Sequence, residues 1–206
     1  MDRQKIIEEV FRTAWTYYDH NDELIYSWHG EVFLNGYPLY DAQRGNRGNI
    51  DCSTFVHLVL QGIPYGKSPY ATGDTEDFFR SGCPWADTGI RGRIKEYPPL
   101  RKSNELARYF TEKGLSFAPG EKDLLPGDLV FFQASERTRA KYFEKGAFMA
   151  ISHVGIVMED TRYMIHSTGT SNKDKDLSEG KGTVRYSRIR GRREPLLFAR
   201  PEFTGR

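Results

Sequence analysis

The feature that most constrains this chain is a change of hydrophobic period near residue 123. Before it, apolar residues recur at helical spacing in separate blocks; after it, short runs rich in Val, Ile, Phe and Tyr follow one another with turn residues between them. Helices first and adjacent strands afterwards predict an α+β domain with helices packed on an antiparallel sheet. Ile6, Ile7, Val10, Phe11, Ala14, Trp15 and Tyr18 predict an amphipathic helix over 3–19. A second helix carries Cys52 in its first turn, capped by Asp51 or Ser53, with Phe55, Val56, Val59 and Leu60 on one face and Gly62 and Pro64 ending it. Ser103 to Lys113 predicts a third, closed by Gly114. Strands are expected at 126–132, 153–158, 163–166, 183–189 and 196–200. The stretch 21–49 mixes Gly, Asn, Pro and Tyr and reads as a long approach segment with room for one short strand, while 64–100, rich in Gly, Pro, Ser and Asp without period, reads as loop.

Length and composition fit one core. The chain has 206 residues with 38% hydrophobic and 14% aromatic side chains spread along it, which makes a single domain the expectation and disorder a poor one. Thirty basic and 28 acidic residues leave a formal charge of +2, so nothing global points to nucleic acid. No run of about 18 apolar residues predicts a transmembrane segment, and no secretory signal is visible at the start, so the sequence leaves localisation undecided.

Two cysteines, Cys52 and Cys83, sit in dissimilar contexts and form no C-x-x-C pair, so a disulfide is not expected. Cys52 at a helix start is placed for thiolate chemistry, because free N–H groups and the helix dipole favour negative charge there. Cys83 has only loop neighbours. A thiol nucleophile needs an imidazole base and a group to orient that imidazole. Of five histidines, His20 and His29 lie in polar sequence, and His57 falls off the face that carries Cys52. His153 and His166 flank a predicted hairpin. With the turn at Glu159-Asp160 they stand directly opposite; with it at Asp160-Thr161 they are diagonal neighbours; both registers put them on one face. A Cys-His-His set can also bind zinc, but close ligand pairs and a fourth ligand are missing, so no metal or cofactor is expected.

Three segments, Asp51-Cys52-Ser53-Thr54-Phe55, Pro126-Gly127-Asp128-Leu129-Val130-Phe131-Phe132, and Ser152-His153-Val154-Gly155-Ile156 with Met164-Ile165-His166-Ser167, together resemble the NlpC-type family of cell-wall cysteine peptidases. The order Cys, His, His matches too. The resemblance implies a papain-like fold with Cys52 as nucleophile, His153 as base and His166 orienting it. It further implies hydrolysis of peptidoglycan stem peptides, typically between D-glutamate and the following diamino acid. It assigns Tyr40, twelve residues before the cysteine, to the oxyanion site, and Asp51 and Ser53 to the substrate groove, although both also serve as plain helix caps. Asp128 reads as structural, tying a turn. On this reading residues 1–206 form one catalytic domain with a helical extension to about 36 and insertions at about 64–122 and 133–150. Thr54 stands where the family carries a small Gly. Two other functions fit the same residues: a CHAP-like or intracellular amidase on γ-glutamyl peptides, and a catalytically silent wall-binding module. The basic stretch Lys181 to Arg193, like Arg137 to Lys145, suits either a solvated edge or contact with anionic wall polymer.

Overall fold

The computed structural model describes residues 3–24, 26, 50–60, 62, 64–66, 103–144, 147–169, 183–191 and 193–202. Among these, four α-helices and six strands form an α+β domain: α1 (Arg3–Asp19), α2 (Cys52–Leu60), α3 (Ser103–Glu112), β1 (Ser116–Phe117), β2 (Leu129–Gln133), α4 (Glu136–Glu144), β3 (Ile151–Val157), β4 (Tyr163–Ser167), β5 (Val184–Arg188) and β6 (Pro195–Ala199). The strands make one antiparallel sheet in the order β1-β6-β2-β3-β4-β5.

The helices follow from the apolar spacing. In α1 the stripe Ile6, Ile7, Val10, Phe11, Ala14 and Tyr17 is buried, while Trp15 and Tyr18 stay partly exposed. α2 buries Cys52 to Val56 and Leu58 to Leu60, as expected of a short apolar helix that is covered on several sides. Tyr17 of α1 meets Phe55 edge-on at 5.7 Å. The same core cluster takes in Leu106, Ala107 and Phe110 of α3, and Leu129, Phe131, Val154, Ile156 and Ile165 of the sheet, so α1, α2 and α3 share one core with one sheet face. α3 ends in a Schellman motif: Gly114 has φ +70°, Leu115 N–H donates to Phe110 O at 2.8 Å, and Gly114 N–H donates to Thr111 O at 3.0 Å.

Alternate residues of the strands face the other way. Val130, Phe132, Val157, Met164 and Phe198 form a second, smaller cluster with Phe117 and Ile189. Asp128 is fully buried at the start of β2. Its carboxylate accepts from Leu125 N–H at 2.8 Å and from two nitrogens of Arg200 at 2.9 Å each, which ties the turn before β2 to the end of β6.

α4 was not anticipated from the sequence. It leaves the sheet after Gln133 and returns at Ile151, where the β2–β3 register slips by one residue. Ala150 at the return point has φ 51°, rare for a residue with a Cβ. Asn104 of α3 holds this segment: its Oδ1 accepts from Met149 N–H at 3.1 Å and Ile151 N–H at 3.2 Å.

Candidate active site

The hairpin register decides what β3 and β4 bring together. Ile156 stands opposite Ile165 and Val157 opposite Met164, which is the diagonal arrangement for His153 and His166. Their rings meet edge to face with centroids 4.8 Å apart, and His153 Nε2 lies 2.6 Å from His166 Nδ1. Gly155 is what lets His166 come in so close. A Cβ there would lie 3.2 Å from His166 Cβ and 2.9 Å from Met164 Sδ. Phe132 flanks His153 on the β2 side, with centroids 5.9 Å apart. On the far side, His166 Nε2 contacts Ser187 Oγ of β5 at 3.1 Å. The result is a continuous polar line: Ser187, His166, His153.

Cys52 arrives from the helix side. Asp51 caps α2, with Oδ1 accepting from Thr54 N–H at 2.7 Å and from Ser53 Oγ at 2.9 Å, while its carbonyl takes Phe55 N–H at 2.9 Å. Both groove candidates flanking the cysteine are therefore engaged in holding the helix start. Ser167 Oγ donates to Ile50 O at 3.1 Å, tying the approach to α2 to the residue after His166. The Cys52 sulfur itself accepts from the backbone N–H of Val154, the residue after His153, from that of Ser53, and from the side chain of Tyr26. Thiol and imidazoles are thus gathered on one stretch of β3 and β4, the histidines through their ring contact and the thiol through the His153–Val154 peptide.

Electrostatics runs against the expectation of a lowered thiol pKa. Cys52 is 5% exposed, and burial first, then the Asp51 carboxylate, push its thiol up to about 12 despite the hydrogen bonds that favour thiolate. Burial and the Arg193 cation push His153 down to about 4. His166 lies well below its ordinary range, first through burial and then through His153 and Arg185. At neutral pH the resting site therefore holds a neutral thiol and two neutral imidazoles.

The contacts fit two sets of tautomers, because the Ser187 hydroxyl can donate or accept, and one of them leaves a free base. If His166 Nε2–H donates to Ser187 Oγ, then His166 Nδ1 accepts from His153 Nε2–H, and His153 Nδ1 keeps a lone pair able to take a proton. Ser187 is a partner that sequence spacing does not reveal, because it depends on the β4–β5 pairing.

Two tyrosines interact electrostatically with the thiol. Tyr26 comes from an aperiodic segment, and its ring lies against Gly169, where an added Cβ would meet Cδ1 at 3.0 Å. Tyr142 of α4 is raised above its ordinary pKa by burial and then by Cys52. Tyr40 lies outside the described residues, as do Cys83, His29 and the side chain of His57. His20 stacks on Tyr65 at 4.4 Å, away from this cluster. Among the described residues no group of three or more His, Cys, Asp or Glu has the arrangement to hold a metal ion, and no helix is long and apolar enough to cross a membrane.

The fold and site define an α+β domain that brings a buried cysteine and a coupled imidazole pair to adjacent strands. The sequence matches no protein-family model and no curated protein.

Proposed function

We propose that the protein is a cysteine hydrolase with a papain-like, NlpC-type fold that cleaves amide bonds in peptidoglycan stem peptides, between D-glutamate and the diamino acid. The observation that carries this reading is the 2.6 Å contact between His153 Nε2 and His166 Nδ1, next to a helix-start cysteine bound to the Val154 amide. A helix-start thiol with one imidazole to move its proton and a second to orient the first is the set of parts that nucleophilic acyl transfer needs.

In the proposed reaction the Cys52 sulfur forms a bond to the amide carbonyl carbon while its proton passes to His153 Nδ1. Because thiol and imidazole start neutral, His153 acts as a general base during attack and meets Sγ in the substrate-bound state. His153 then protonates the leaving amine as the C–N bond breaks. Water attacks the thioester, the new acid leaves, and the thiol is restored. The N–H groups at the start of α2 and the Tyr26 hydroxyl serve as donors to the oxyanion. Mass spectrometry of products from defined muropeptides tests the reading. New amino termini at the diamino acid that disappear with Cys52→Ala are expected; turnover retained by Cys52→Ala would refute it.

The burial of Cys52 favours a second substrate range, small γ-glutamyl peptides in place of intact wall. Free stem peptides cleaved while intact sacculi stay whole would support that range; release of peptides from sacculi at a matching rate would exclude it.

A further inference from the structure

Arg185 stands directly opposite His166 in the β4–β5 ladder, so it shares the sheet face that carries His153, His166 and Ser187. Its side chain is half-buried, and its Nε is shut off from solvent with no hydrogen-bond partner among the described residues. A guanidinium stays charged at every accessible pH, so this N–H is a donor held ready without an acceptor. Its charge also lowers the basicity of His166, and the Arg193 cation does the same to His153. A cation opposite His166 is an unfavourable neighbour if the imidazoles take up protons. It is well matched to an anion arriving with the substrate.

We propose that Arg185 seats a carboxylate of the substrate beside the His153–His166 pair. This rests on the hydrolase reading above and narrows it: the acyl donor is a peptide with a free carboxylate a few bonds from the scissile carbonyl. The planar fork of Arg185 takes such a group through two parallel N–H···O bonds, which fixes the direction in which the scissile carbonyl is presented to Cys52. Arg185 is thus a specificity residue, and His166 keeps its orienting part.

The test compares two γ-glutamyl anilides, one with a free α-carboxylate and one with that group as a carboxamide. The native protein is expected to prefer the carboxylate in kcat/KM by about tenfold to a hundredfold, the span expected for hydrogen bonds to a charged group. In Arg185→Gln the ratio falls toward one through KM, and Arg185→Lys restores part of it. Equal rates on both anilides by the native protein would overturn the carboxylate seat and leave the hydrolase reading standing. If the native protein cleaves neither, the hydrolase reading fails, and the seat is judged by binding. Titration with glutarate should then shift the His166 ring NMR signals saturably in the native protein and not in Arg185→Gln. Absence of that shift, or equal saturation by inorganic phosphate, would overturn it.

Discussion

Alkylation of Cys52 gives a direct measure of how the fold treats its thiol. The chain has two cysteines, so a Cys83→Ser background leaves Cys52 as the single reactive sulfur. At pH 7.5 a thiol raised to about 12 is thiolate to only roughly 3 parts in 100,000, against about one part in ten for an ordinary cysteine. That difference alone slows reaction about 3,000-fold. The more basic thiolate is the better nucleophile, and a Brønsted slope of about 0.4–0.5 recovers roughly 25- to 60-fold. Iodoacetamide should therefore modify Cys52 about 50- to 120-fold more slowly than a model thiol, before restricted access slows it further. Followed by intact mass from pH 6 to pH 10, the rate should climb about tenfold per pH unit without levelling off. A plateau reached below pH 8 would refute the reasoning, since it would mean that a thiolate–imidazolium pair is already formed in the resting protein. The same experiment on Tyr142→Ala separates burial by α4 from burial by the core: a marked acceleration assigns the cover to α4.

Replacing Ser187 by Ala leaves His166 Nε2 without its partner, and kcat in the muropeptide assay should fall about five- to tenfold with KM little changed. Thr at the same position should restore most of it, whereas full activity in the Ala variant would remove Ser187 from the relay. Gly155→Ala places a methyl 3.2 Å from His166 Cβ and 3.3 Å from Ile165 O, so urea denaturation should show a loss of about 1–3 kcal/mol. The His153–His166 hydrogen bond, followed by ring 15N shifts, should weaken with it, and an unchanged spectrum would count against the close-approach argument. Arg200→Ala strips both of its hydrogen bonds from a fully buried Asp128 carboxylate and should cost about 3 kcal/mol. Adding Asp128→Asn to that variant should recover part of the loss; if the double variant is less stable than the single one, the cost does not come from an uncompensated charge.

What the sequence made legible was whatever repeats with a fixed period. The apolar stripes of α1, α2 and α3 and the alternating strands announced themselves, and the change near residue 123 foretold the α+β layout with its antiparallel sheet. The hairpin argument left two registers open, and the sheet adopts the diagonal one, with the closing turn bond running from Tyr163 N–H to Asp160 O. α4 escaped because Glu136–Glu144 buries no residue and so has no stripe to read. Tyr26 escaped because the stretch that holds it has no period at all. Ser187 and Arg185 could not be found, since parity tells which face a strand residue takes only after its neighbour strand is known.

The thiol is the instructive case, because the sequence argument used a correct principle and still predicted the wrong direction. A helix start does favour thiolate, and Cys52 is the first residue of α2. That effect acts over one turn and is worth most where water is not the alternative solvent for the anion. Here the cap itself is a carboxylate, Asp51, so the residue that satisfies the helix N–H groups also sets a like charge beside the sulfur. α2 also carries its first turn into the core with Ser53 and Thr54 buried beside Cys52, and removal from water outweighs the donors that Val154, Ser53 and Tyr26 supply. A local signal of charge stabilisation can be read from residue order, whereas the larger opposing cost of burial depends on every segment that closes over the site. For that reason the nucleophile's position was visible in the sequence and its protonation state was not.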